Sequence, residues 1–534
     1  MMRHRWARAA AAACTFVFLV AIYGPGAVGQ ARVPNPDTLF YGVYWEPVNL
    51  DPHAITDFGS MWMLDNTYEP LVRYKTKTVN GRTIGTADVQ PHLAETVEAS
   101  KDGKTYTFKL RRGVRFHSGD ELTAEAVKYS INRMLTENLG PATLISQCID
   151  ANSTQVVDPL TVRLTLRRAC PYFLQLLAAT NTGAIVSPKT VEAHGGIQPG
   201  KFNEWMSRNI DGTGPFKWGR WVAGESFELV ANDQYWGGAP KLRRIQFRVI
   251  KDFATQLLLL KRGELDIVYR LPPDMTTQLI GNKDVIINRE SGIGMHQLYM
   301  QTKLKPFDDV RVRRAMVYAI DPYAVNRAAA FGLANVAKSL LPSPLEGWTG
   351  DLWPYKYDPA KARALLAEAG FPNGFKVSLN FNSGNTEREQ TSIAIQAQLR
   401  KVGVEAEIAP LPWGTFVTNY EGGKMPAFVS SSLGPPIIEK YVVDTYDSKS
   451  VGAKGNFSFY ANPEVDRLID RLLSTSAPAE RTRIIVGIQK LVNADVPSVP
   501  FYDALLMYAE RSWVKGWVLY PSGNWYFAQV EKRP

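Results

Sequence analysis

Between Thr105 and Leu110 apolar and polar residues alternate, with Tyr106, Phe108 and Leu110 set against Thr105, Thr107 and Lys109. That two-residue period predicts a half-buried strand, and the Asp102-Gly103 pair in front of it supplies a hairpin turn. Thr123 then caps a predicted helix whose Val127, Ile131 and Met134 recur on one face. A second hairpin follows, where Val162, Leu164 and Leu166 alternate after the Asp158-Pro159 turn. From Phe227 the pattern changes. Strands over 227–230 and 245–249 lead into the helix ATQLLLLKRG, with Asp252 as its cap and Gly263 as its stop, and LDIVYRL reads as a buried strand. From Pro306 capped helices alternate with single strands. Asp309 opens VRVRRAMVYAI, Asp358-Pro359 opens a helix that Gly370 closes, and VSLNF and VEAEIAPL are strands on either side of a long helix ending at Gly403. Asn462-Pro463 starts another helix, with Val465, Leu468, Ile469 and Leu472 on one face. Such alternation predicts an α/β fold with a partly parallel sheet and no solenoid repeat.

The first residues stand apart. Arg3, Arg5 and Arg8 precede an apolar run from Ala9 to about Tyr23, and GPGAVGQA offers the small residues of a cleavage site near Gly29 or Ala31. Segment 1–31 is therefore expected to be a removable export signal, because its apolar run is shorter than the roughly 20 residues that span a membrane. At 534 residues the chain exceeds one ordinary core and suggests about three domains. With 45% hydrophobic and 21% charged residues, disorder is not expected. Losing the three leader arginines lowers the formal charge from +10 to +7. The remaining basic residues are interspersed with acids, which argues against a nucleic-acid partner. Beyond the leader only Cys148 and Cys170 remain, flanking the second hairpin. In an oxidising compartment they either form one bridge or stay free.

Catalytic signatures are absent: there is no G-x-S-x-G elbow, no H-E-x-x-H, no G-x-x-x-x-G-K-[ST] and no G-x-G-x-x-G after a strand. His53, His92, His117, His194 and His296 are widely separated and lack metal-ligand spacing, so neither a metal nor a cofactor is expected. Aromatic residues are conspicuous, with 13 Trp and 23 Tyr; most belong in cores, and a few on loops suit the walls of a concave site. Trp413, in APLPWGTF, follows a strand where Pro410 and Pro412 are expected to forbid a regular helix. Trp62 fits a capped core helix as well as a binding wall.

Five ordered stretches carry a resemblance. EPVNLDPHAITD, NTYEPLVRY, HLAETVEASKDGKTYTFKLRRGVRFHSGDELTAEAV, GTGPFKWGRWVAGESFELVANDQYWGG and PFDDVRVRRAMVYAID closely resemble the dipeptide, oligopeptide and nickel-type extracellular solute-binding proteins of ABC importers. The resemblance covers almost the whole mature chain. It implies a type II periplasmic-binding-protein fold: two lobes that close on a ligand, with an extra domain inserted in the first. The first lobe would comprise 32–75, 200–289 and 499–534, the extra domain 76–199, and the second lobe 290–498. It also implies a periplasmic monomer without catalysis or cofactor, partnered by an inner-membrane permease. The rival reading is a secreted hydrolase acting on a similar small molecule.

In peptide-binding members of that family, the strand after the Trp-containing segment carries a Trp and, three residues later, an Asp that pairs with the peptide's ammonium group. Trp413 matches the preceding aromatic, but Ser432 stands where that second Trp would be and Pro435 where the Asp would be. Asp57 and Glu439 are the acids near enough to substitute. The cleft is accordingly expected to use Thr56, Asp57, Phe58, Trp413, Ser430, Ser431, Ser432, Leu433 and Gly434. Its small polar groups point to a modified peptide, a sugar or an opine-like conjugate, with an ordinary peptide also open and a nickel chelate less suited.

Overall fold

The chain begins its main sheet with β1 (Thr38–Val43) and then leaves it. A hairpin of β2 (Val72–Val79) and β3 (Arg82–Pro91) leads to a separate antiparallel sheet made of β4 (Ala94–Ala99), β5 (Thr105–Leu110), β6 (Thr154–Asp158) and β7 (Thr161–Thr165). The main sheet resumes with β8 (Phe216–Val222), β9 (Ser226–Ala231), β10 (Arg244–Val249), β11 (Ile267–Tyr269) and the long β12 (Val285–Met300). It is completed by β13 (Lys376–Asn382), β14 (Glu405–Leu411), β15 (Ala427–Ser431) and β16 (Ser498–Arg511), in the order β14-β13-β15-β12-β16-β11-β1-β10-β9-β8. This computed structural model describes residues 33–55, 58–79, 82–350, 352–431, 436–452, 455–520 and 523–534. The expected leader 1–31 therefore lies outside the described residues.

Local signals in the sequence account for most element ends. Thr123 accepts a hydrogen bond from the Ala126 amide at the head of the Ala124–Glu137 helix, and Asp252 does so from Thr255 at the head of Phe253–Arg262. Asp309, Asp358 and Asn462 cap Val310–Ala319, Pro359–Glu368 and Pro463–Ser474 in the same way. Gly263 and Gly403 close their helices in the left-handed region that glycine adopts freely. Cys148 and Cys170 are joined by a disulfide, with Cα atoms 5.9 Å apart.

The fold is a two-lobed α/β structure with a region inserted into the first lobe. Tyr41, Phe227, Phe247 and Trp525 pack in one core; Met316, Leu379, Phe381 and Ile395 pack in another; Phe108, Val127, Ile131 and Leu164 fill a third under the inserted sheet. β12 and β16 form an antiparallel pair that runs from the first core to the second. Leu506 and Tyr508 belong to one, Leu298, Val499 and Phe501 to the other. Their register shifts between Ser291 and Met295 and again after His296, between the two cores.

Direction follows from pairing. β11 runs against β16, and β15 runs against β12, so the carboxyl ends of the two half-sheets point towards each other across the middle of the β12 and β16 pair. Crevices outside strand carboxyl ends are where open α/β sheets bind ligands.

Candidate functional site

A cavity of about 430 Å³ occupies that crevice. At about 30 Å³ per water this is space for roughly 14 waters, enough for a small organic solute. Tyr44 reaches it from the end of β1 and Arg270 to Pro273 from the end of β11; Gly384 to Glu387 follow β13, Ser431 ends β15, and Tyr502 and Ala504 to Met507 form the floor on β16. A larger cavity of about 900 Å³ lies elsewhere, between Arg73 and Gln90 of the inserted hairpin, Trp236, and the C-terminal Trp517. Its Ile286 and Glu510 sit at the ends of β12 and β16 remote from the crevice. Two of its polar walls are already engaged: His92 pairs with Glu69 at 2.8 Å, and Arg111 donates to the His92 carbonyl and stacks on Trp236. The smaller cavity, shared between both lobes, is the candidate site.

One arginine, Arg270 of the first lobe, lines it, and a second, Arg388, lies behind Ser431 without reaching the lining. Arg270 holds a left-handed backbone, φ +57°, which a non-glycine residue adopts at a cost, and its amide is fixed to the Met507 carbonyl at 3.0 Å. Burial alone would lower the Arg270 pKa; Tyr269, Tyr44 and Glu387 around it raise it instead. From the second lobe, Arg388 donates to Ser431 Oγ at 3.2 Å and to Asn382 Oδ1 at 2.6 Å, while its buried Nε has no partner. Burial lowers the Arg388 pKa, and nearby Arg270 adds to that effect. Glu387 lies near both arginines and acts to raise the pKa of each.

Beside them runs a polar chain on the second lobe. His296 Nε2 lies 2.9 Å from Thr391 Oγ1, Thr391 hydrogen-bonds Tyr502, and Tyr502 donates to Glu387 Oε1 at 2.8 Å. The His296 ring stacks on Tyr502 with centroids 4.8 Å apart. Burial, foremost, lowers the His296 pKa to about 4, so the imidazole is neutral at physiological pH.

The residues expected from sequence meet this site unevenly. Ser431 lines it, whereas strand alternation turns Ser430 to the other face, and Ser430 does not line the cavity. Thr56, Asp57, Ser432, Leu433 and Gly434 lie outside the described residues, as does Pro435. Phe58 opens the Phe58–Thr67 helix, and its side chain is likewise not described. Trp413 is placed differently from expectation. Pro412 forbids no helix: it caps the Trp413–Glu421 helix, where a proline just ahead of the first turn removes no needed donor. Trp413 is 58% exposed and does not line the cavity. Glu439 is no free acid either: it is buried, ion-paired to Arg481 at 2.7 Å, and borders a different, smaller crevice. Trp62 is core, stacked 4.1 Å from Trp525. Sequence reasoning missed Arg270, His296, Glu387, Arg388 and Tyr502, which four separated segments bring together.

One carboxylate and histidine cluster has metal-like geometry. Ligating atoms of Asp51, His53 and Glu137 lie within 4.8 Å of one another. The Arg133 guanidinium already occupies the position between them. It donates to Asp51 Oδ1 at 2.9 Å and lies 3.1 Å from His53 Nδ1 and 2.9 Å from Glu137 Oε1. This is a buried ionic joint between the first lobe and the inserted region.

Residues 88–454 match the profile of bacterial extracellular solute-binding proteins, family 5 Middle. The chain belongs to this family. It is the solute-binding component of an ABC importer, a role carried out by members that are periplasmic or extracellular. Among the described residues no helix is long and apolar enough to cross a membrane. The probable D,D-dipeptide-binding periplasmic protein DdpA of Escherichia coli (strain K12) is 30% identical over 499 residues, spanning 92% of this chain and 93% of that one. HbpA2 from Haemophilus parasuis shares the fold, with a TM-score of 0.82 at 24% identity over 93% of this chain and 100% of that one. MoaA from A. tumefacien R10, in complex with mannopinic acid, matches with a TM-score of 0.74 at 26% identity, covering 93% and 100%.

Proposed function

We propose that the solute captured in this crevice is a small organic acid derived from amino acids, a peptide or an opine-like conjugate, held by its carboxylate. The observation that carries this reading is Arg270, which lines the crevice from the end of β11 on a left-handed backbone and has its pKa raised by the groups around it. A neutral sugar offers Arg270 no charged partner, whereas a carboxylate does. A carboxylate that pairs with Arg270 while the rest of the solute meets the second lobe favours the closed state. The names of two relatives agree in kind, one being D,D-dipeptide-binding and the other holding mannopinic acid.

The rest of the reading follows from this. β12 and β16 act as the hinge, with the lobes divided near residues 289 and 498 and the inserted domain over 76–199. The protein is exported by its 1–31 leader, works as a monomer outside the inner membrane, and hands its solute to a membrane permease. It returns the ligand unchanged. Ser431, which lines the cavity, accepts a hydrogen bond from Arg388.

Calorimetry with dialanine and its C-terminal amide tests the acid requirement. The free acid binds at least tenfold tighter than the amide, and Arg270→Gln removes that preference, a loss of roughly 1.5–3 kcal/mol for a charged hydrogen bond. Equal binding of acid and amide would sink the proposal.

A further inference from the structure

The larger cavity, about 900 Å³, lies where the inserted hairpin meets the first lobe, and three cations but one acid line it. Arg73 comes from β2, Arg111 from just after β5 and Lys515 from the C-terminal segment; the acid is Glu510. Among the described residues no carboxylate is ion-paired to any of the three cations. Lys515 donates to the Ser512 carbonyl, and Glu531, opposite it on the paired strand, is taken by Lys241 at 2.8 Å and Arg533 at 3.1 Å. Arg73 is exposed, and its side chain bonds to no described residue. Arg111 Nε donates to the His92 carbonyl at 2.6 Å and its guanidinium lies 5.0 Å from the centre of the Trp236 ring, which leaves both terminal nitrogens without a described partner. The wall behind them is fixed: Trp236 and Tyr235 each donate to Glu69, at 2.9 and 2.7 Å. Burial, foremost, and Glu69 raise the Tyr235 pKa, while Arg73 and Arg111 both pull it down, so the two guanidiniums stand near one point of that wall. The C-terminal segment adds the rings of Trp517 and Tyr520. A concavity lined mainly by one sign of charge over apolar walls concentrates the opposite ion, and this volume is that of a small-molecule site.

We propose that this junction is a second ligand site, for a small aromatic anion whose acid group meets Arg73 and Arg111 and whose rings lie among Trp236, Trp517 and Tyr520. The acid group gains charge-assisted hydrogen bonds from guanidinium edges that otherwise face water, and the rings gain flat apolar contact. An aliphatic anion would use the cations and leave the aromatic walls wet. The site is independent of the crevice, because its Ile286 and Glu510 sit at the far ends of β12 and β16. A ligand here touches the β2–β3 hairpin, residues 235–237 and the C-terminal segment together, and so stabilises the folded protein by mass action.

The test is a fluorescence titration at pH 7 with 8-anilinonaphthalene-1-sulfonate and with N-phenyl-1-naphthylamine, which has the same rings without the sulfonate. It is run on the natural protein, Arg73→Gln, Arg73→Lys and Arg270→Gln, with a thermal melt to show that each variant is folded. The sulfonate is expected to bind at one site per chain, at least tenfold tighter than the neutral compound. Arg73→Gln removes most of that preference without changing the neutral compound's affinity, Arg73→Lys keeps part of it, and Arg270→Gln leaves it intact. Equal binding of the two compounds, no binding of the sulfonate, or a preference that survives Arg73→Gln would overturn the proposal. Loss of the preference in Arg270→Gln would place the anion in the crevice and overturn it as well.

Discussion

Glu137 is fully buried beside Arg133, and burial, the largest influence, raises its carboxyl pKa to about 8. The folded protein therefore keeps a proton that the unfolded chain gives up near the ordinary value of 4.5, so this residue's contribution to stability falls as pH rises from about 4.5 through about 8. Asp51 acts in the opposite sense and at lower pH. Its pKa is lowered because, although burial opposes it, the Arg133 hydrogen bond and charge hold it ionised. Glu137→Gln fixes the uncharged form. Its melting temperature, followed from pH 5 to 9, should match the natural protein at the acid end and exceed it by a few degrees at the alkaline end, a gain of roughly 1–3 kcal/mol. A constant offset at every pH would mean that Glu137 titrates normally in the fold. At this scale the sequence was only partly informative. Caps such as Asp252 or Asn462 act on amides two or three residues away and can be read locally. His296 looked like an isolated histidine because Thr391, Tyr502 and Glu387, which give it meaning, are supplied by other elements.

Among elements, the alternating strands and capped helices were legible because period and cap chemistry are written within ten or so residues. Trp413 shows where such reading fails. Two prolines looked like a barrier, yet Pro410 sits on β14, an edge strand of the main sheet, and Pro412 just ahead of a helix, the two places where a missing amide costs least. Close packing between elements was not legible either. Gly374 and Gly403 approach so tightly that a Cβ on Gly374 would lie 1.8 Å from the Gly403 carbonyl, at a backbone φ of +75°. Gly370 is also left-handed, φ +91°, but a Cβ there meets nothing within 4 Å. Gly370→Ala should thus cost about 1–2 kcal/mol of backbone strain, and Gly374→Ala clearly more, by roughly a further 1–3 kcal/mol for overpacking. Paired thermal melts decide it: similar losses would mean that the loop after Gly370 yields easily.

Across the whole molecule, the two-lobed plan was legible from motif order, whereas the crevice chemistry depended on how β11 and β15 converge from opposite ends of the β12 and β16 pair. The inserted region also touches the second lobe. Ile437, just past the segment that follows β15, is buried with Leu176, Leu177 and Tyr172 in the core of the inserted region. Closure would then involve three bodies, with the solute as the polar link between two of them. The measurement that tests this account most directly is native mass spectrometry on protein prepared from the cells that make it, followed by denaturation and identification of the released molecule. The account predicts a small organic acid of roughly dipeptide size, carrying a carboxylate for Arg270. A neutral sugar would contradict it.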